Sequence, residues 1–219
     1  MMSATRLYAQ HRHWLALWPL AALLALGWSP SASASRPMSE TEYMLLPEYC
    51  RAQGNVSETN FTRSYRADVV RKWQSALGSN YNHYHHFCWG IASIARAYRP
   101  GTAYGSRAAL TKSAIADITY TLERATPDFI LLPEVYTKLG EAYLLARDAR
   151  SAEAAFRKAW EIKPDYWRPY VWWGQYLLQA GKSGEALAVA EEGLKHAPDV
   201  KALQDLARDA RAPRGKSAR

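Results

Sequence analysis

Three histidines and a cysteine stand within six positions: His83, His85, His86 and Cys88. Imidazole and thiolate are ligands for copper and zinc. On a helix, His83 and His86 share one face while His85 and Cys88 share another. One face therefore supplies two ligands, where a closed site takes three or four. No acid or further histidine elsewhere can be assigned from sequence to complete it. The competing reading packs the histidines among Tyr81, Tyr84, Phe87 and Trp89 at a helix interface.

Cys88 has a second use. Cys50 and Cys88 are the chain's only two cysteines. A disulfide between them closes a loop of about 39 residues and stabilises by about 4 kcal/mol in the chain-entropy model. It also removes Cys88 as a metal ligand. The alternative is a pair of free thiols. An oxidising compartment and the even count favour the bridge.

Signatures of other chemistry are missing from the sequence. It has no phosphate-cradling glycine loop, no haem-attachment motif, no zinc-protease helix and no nucleophile elbow. Glu134 and Glu141 stand seven apart on one helical face, but a solvated face explains them better than a catalytic carboxylate pair. The sequence points to no enzyme and to no cofactor.

The elements that would position these residues read as helices. Tyr136, Leu139 and Tyr143 fall at helical spacing, and Pro164 stops the helix after them. Tyr136, Gly140, Ala152 and Pro164 recur as Tyr170, Gly174, Ala186 and Pro198, each 34 residues on. In this pattern Gly140 and Ala152 are small where two helices must approach, and Phe156 fills the wedge between them. The stretch Pro133–Pro164 resembles a tetratricopeptide repeat almost residue by residue, through Tyr136, Leu139, Gly140, Tyr143, Ala152, Phe156, Ala159 and Pro164. Trp167–Pro198 resembles a second unit. There Trp173 replaces leucine, Leu177 the aromatic, Ala190 the phenylalanine and Gly193 an alanine. Looser packing is expected, offset by Trp172 and Trp173. A third, degenerate unit covers 81–132, with a first helix over about 81–98, a loop over Arg99–Ser106, and a second helix from about Arg107 to Ala125. Leu46–Cys50 together with His86–Gly90 also resembles exported proteobacterial tetratricopeptide proteins.

The resemblance implies an all-α fold. It is a tetratricopeptide-type helical-hairpin solenoid of about three hairpins, with an irregular N-terminal helical extension (35–80) and a capping helix (199–211). In that family the first helices of successive repeats line a concave surface that holds another polypeptide. Carried onto this chain, the lining comprises Thr137, Glu141 and Leu144, then Arg168, Val171, Trp172, Gln175 and Leu178. Its mixed apolar and polar character suits an extended or helical segment lying in a groove. Trp172 is the expected hot spot, with burial inside the stack as the alternative.

Within the extension, Glu42–Ala52 is expected as one short helix limited by Pro47. Asp68 is expected to cap a helix ending at Gly78, and Gln53–Arg66 reads as loop. Asp199 is expected to open the last helix.

Residues 1–34 read as a cleaved export signal. Arg6 and Arg12 give a basic start, Trp14–Trp28 is apolar, and Ala32-Ser33-Ala34 offers a cleavage site. A retained anchor is the rival, although the run is short for a span. The full chain carries 28 basic and 20 acidic residues, and removing Arg6 and Arg12 leaves +6. Part of that charge lies in the tail 212–219, expected to be disordered, which could touch an anionic membrane surface. Nucleic acid is not an expected partner.

The functional expectation is therefore a periplasmic scaffold or assembly factor for an exported or envelope protein. The alternative is a copper- or zinc-handling chaperone using His83, His85 and His86.

Overall fold

Ten α-helices, packed in adjacent pairs, account for the described residues of this computed structural model, which are 38–53, 66–99 and 105–212. The chain divides into two units, Met1–Ala34 and Ser35–Arg219, and all described residues belong to the second. The export signal, residues 54–65 of the expected loop, and the tail beyond Ala212 lie outside the described residues. The architecture is an all-α helical-hairpin solenoid, and no strand occurs among the described residues.

The N-terminal extension comprises α1 (Glu40–Leu45), α2 (Glu48–Arg51) and α3 (Ala67–Leu77). Ser39 and Glu42 cap α1 reciprocally, each side chain meeting the other's backbone N–H. The single helix expected over 42–52 is two helices instead. Pro47 forces Leu46 out of the helical region, to ψ 151°, and then precedes the first residue of α2. The expected cap at Asp68 is likewise displaced. Helix α3 begins at Ala67, and Asp68 sits in its first turn, ion-paired to Arg66 at 2.7 Å. Gly78 ends α3 with a positive φ of 54°, as its residue type allows.

A short 3₁₀ segment (Gly78–Asn82) precedes α4 (His85–Ala97), so the helix expected from 81 starts four residues later. Helix α5 (Arg107–Arg124) is capped by Ser106, whose hydroxyl accepts from Ala109 N–H. Then follow α6 (Leu132–Leu145), α7 (Ala149–Ile162), α8 (Arg168–Gln179), α9 (Ser183–His196) and α10 (Lys201–Arg211). Helix α10 opens two residues later than expected, because Pro198 and Asp199 form the turn before it.

Pairs α4/α5, α6/α7 and α8/α9 are the hairpins, and α10 packs on α9 and α8. Glycines set the close approaches within them. A Cβ on Gly90 would stand 2.6 Å from Ile118, and one on Gly140 would stand 2.6 Å from the ring of Phe156. The third hairpin differs. Ala190 occupies the place equivalent to Phe156, and the space above Gly174 is filled by Leu206 from α10. Leu203 similarly reaches Gly193. The capping helix thus fills this wedge, beside Trp172 and Trp173, which pack around Phe156 and Leu177.

The extension is fastened to the stack by a disulfide and by side-chain contacts. Cys50 and Cys88 form the disulfide. Tyr49 stacks on Phe87 and donates its hydroxyl to Glu134 at 2.9 Å. Gln53 donates to the Tyr81 carbonyl. Arg96 holds Glu42 through two hydrogen bonds of 2.8 and 3.1 Å, with both side chains buried.

Candidate interaction surfaces

Helices α6 and α8 are neighbours in the stack, and α6 also contacts α4. This placement decides which of the expected lining residues reach solvent. Thr137 is buried and donates its hydroxyl to the Pro133 carbonyl at 2.7 Å. Glu141 is buried too, and accepts from Lys138 at 2.7 Å. Its charge, after burial, helps hold the Tyr98 hydroxyl well above the usual tyrosine range. Val171 is also buried. None of these three is open to a partner.

The solvent-facing part of the expected lining is Arg168 and Gln175, with Leu144, Trp172 and Leu178 half-buried. Arg168, Trp172 and Gln175 follow one another at intervals of four and three, so they share one face of α8. Trp172 packs at the edge of the core around Trp173 and Leu177. Its exposed part lies between a cation and an amide. Arg168 also lies 4.9 Å above the Trp167 ring.

Glu134 and Glu141 have different partners. Glu134 serves Tyr49 and Glu141 serves Lys138. Burial, then the nearby Glu134 carboxylate, keep the Tyr49 hydroxyl protonated far above its ordinary range.

The histidine window lies between α4 and α5. His86 Nδ1 is 2.8 Å from Asp117 Oδ1, and its ring lies 3.9 Å from that of Tyr120. The Arg124 guanidinium covers Tyr120 at 3.6 Å, so His86, Tyr120 and Arg124 form a layered contact. His83 approaches Tyr120 edge-on. Burial lowers the pKa of His85, and His86 beside it acts in the same direction. Burial also raises that of Asp117, against the opposing hydrogen bond from His86. Cys88 is consumed by the disulfide. Among the described residues, no group of three or more His, Cys, Asp or Glu is placed to hold a metal ion.

A second surface was not anticipated. One face of α5, with the turn after α6, lines an open groove of about 920 Å³. Its middle is formed by Thr111, Ile115, Ala116 and Thr119. At one end stand Arg107, Lys112 and Arg147, and at the other Tyr120 and Glu123. Because α5 buries Leu110, Ala114 and Ile118 on its opposite side, it is apolar on two faces. In sequence this weakens the amphipathic signal that marks a surface helix, so the groove left no readable trace.

No helix among the described residues is long and apolar enough to cross a membrane. The disulfide is compatible with an oxidising compartment. No protein-family model matches the chain, and comparison with curated proteins returns no match.

Proposed function

We propose that this chain is a tetratricopeptide-type interaction module of the periplasm. It acts as a scaffold or assembly factor that presents the exposed face of α8 to a segment of an exported or envelope protein.

The observation that carries this reading is the register of two successive hairpins. Helix α7 (Ala149–Ile162) and helix α9 (Ser183–His196) begin and end at positions 34 residues apart. The turns before them share one hydrogen-bond pattern. Asp148 N–H bonds Tyr143 O and Arg147 N–H bonds Leu144 O, as Lys182 bonds Leu177 and Gly181 bonds Leu178. A stack repeated in this way leaves the same face of each first helix beside its neighbour, which favours binding of an elongated segment. The residues available for it are Arg168, Trp172 and Gln175, and Trp and Arg are the side chains that most often dominate binding energy.

Photo-crosslinking from position 175 in the native envelope tests the reading, with position 185 on α9 as the exposed control. One discrete protein adduct at 175, not at 185, and lost in Trp172→Ala, is the expected result. Equal adducts at both positions would remove the assignment to this face. N-terminal sequencing of the exported protein tests cleavage after Ala34.

A further inference from the structure

We propose that the groove along α5 binds one long-chain fatty acid, its carboxylate held at the end formed by Arg107, Lys112 and Arg147. Four features of the groove support this.

The first is charge. Lys112 and Arg147 are exposed and make no ion pair among the described residues, although most other cations of the solenoid have an acid beside them. Arg107 spends its Nε on the Ala97 carbonyl, which leaves its remaining N–H groups for another acceptor. The N-terminus of α5 lies at this same end and adds the positive pole of its peptide dipoles. The acid of the groove, Glu123, stands sixteen residues beyond Arg107 and eleven beyond Lys112, about 24 and 16 Å along the helix, and is paired with Arg124. An anion is therefore attracted at one end only.

The second is the floor. Ile115 and Ala116 carry no polar atoms beyond the backbone, and the Thr111 hydroxyl is already spent on the Arg107 carbonyl at 2.7 Å. Of the side chains in the middle of the groove, only Thr119 offers a guest a hydroxyl. A guest with one charged head and an unbroken apolar chain meets these conditions. An acidic peptide would bring backbone polar groups to a floor that does not pair them.

The third is size. A groove of about 920 Å³ lies within the range of sites that take small molecules rather than folded partners.

The fourth is strain. Arg147 has φ 63°, the only left-handed non-glycine residue among those described, while Gly181 holds the equivalent place in the next hairpin. An arginine stands where glycine would cost less. Strain of this kind tends to persist where a side chain has work to do, and here the side chain reaches the mouth of the groove.

Titration of the full-length protein with the fluorescent fatty acid cis-parinarate tests the proposal. Saturable one-to-one binding is expected, displaced by palmitate and about tenfold less well by hexadecanol, which has the same chain without the charge. Lys112→Glu with Arg147→Glu should weaken binding at least about tenfold. Ala116→Trp should abolish it by filling the floor. Arg147→Gly separates binding from folding: it should raise the melting temperature and still weaken binding. Absence of saturable binding up to about 100 μM would overturn the proposal. So would binding indifferent to these substitutions, or binding seen only with phosphatidylglycerol vesicles.

Discussion

Leu206 of α10 fills at Gly174 the space that Phe156 of α7 fills at Gly140. The two glycines are equivalent, but the side chains above them come from different places in the hairpin order. With Ala190 standing where Phe156 would recur, the third hairpin cannot fill its own wedge. It depends on the capping helix for that volume. Leu206→Ala should therefore destabilise the protein by about 2–5 kcal/mol, the usual cost of a buried leucine truncation with an incompletely collapsing cavity. Urea unfolding checks this. An unchanged midpoint would show that α10 is not part of the core of the third hairpin.

Gly140 carries the complementary prediction. A helical Gly→Ala change normally gains about 1 kcal/mol from propensity. Here the added methyl meets three ring atoms of the fully buried Phe156, at 2.6, 2.7 and 2.8 Å. An aromatic ring packed on all sides cannot bend away, so overpacking at about 1–3 kcal/mol wins. Gly140→Ala should lower the melting temperature. The double variant with Phe156→Leu should recover part of that loss, which would place the clash at that ring.

The difference between these two sites also marks what sequence could and could not convey. Glycine, alanine and phenylalanine spacing, with Pro164 and Pro198 as stops, conveys the first hairpin and the register of the second. The partner of Gly174 lies beyond the second repeat, in the helix that follows it, so the glycine–phenylalanine spacing within a repeat cannot assign it. The same holds for Glu42 and Arg96, 54 residues apart in chain order and joined only by folding. Thr137, Glu141 and Val171 fall on the expected helices, but their burial depends on how far neighbouring helices overlap. Arg168, Trp172 and Gln175 remain accessible because they lie on the outer part of that same surface.

The Glu42–Arg96 pair predicts a pH response. Burial alone would raise the Glu42 carboxyl, but the hydrogen bonds from Arg96 and Ser39 prevail and lower its pKa from 4.5 to about 2. A folded value below the unfolded one means that stabilisation is complete above about pH 4.5. It is then lost as pH falls toward about 2. The shift corresponds to about 3 kcal/mol. Glu42→Gln should lose about 3–5 kcal/mol at pH 7, because Arg96 is left buried without its anion. Its stability should also fall less steeply than that of the unsubstituted protein between pH 4.5 and 2. Parallel denaturation curves at several pH values would show both effects, and parallel slopes for the two proteins would exclude this pair as the source.

The Cys50–Cys88 bridge spans 38 residues, and its removal should cost about 4 kcal/mol if chain entropy dominates. The loss should begin at the extension rather than in the α6–α9 hairpins. Trp73 reports on that region, since its ring meets Tyr49 at 5.5 Å and its indole N–H donates to Glu48. In a Cys50→Ser, Cys88→Ser variant, hydrogen exchange should accelerate in 40–51 and 67–77 before it does in 132–196. Uniform acceleration would mean that the extension and the stack unfold as one unit.

Arg147 and Gly181 give the last prediction, because equivalent turns hold different residues in the same backbone region. The φ values are 63° and 86°, and each residue follows the end of a first helix whose last carbonyls its turn satisfies. Glycine enters this region without a Cβ penalty, whereas an L side chain pays about 1–2 kcal/mol. Replacing Arg147 by glycine removes that penalty but increases the entropy of the unfolded chain, an opposing term of about 0.4–1 kcal/mol. The strain term is the larger, so Arg147→Gly should stabilise by up to about 1.6 kcal/mol. Gly181→Arg should destabilise by a similar amount, giving the two substitutions opposite signs at positions one repeat apart. Thermal unfolding of both variants measures the pair. If Arg147→Gly instead destabilised the protein, the arginine side chain would have to make a stabilising contact within the fold, and it would not be held at the mouth of the α5 groove for a guest.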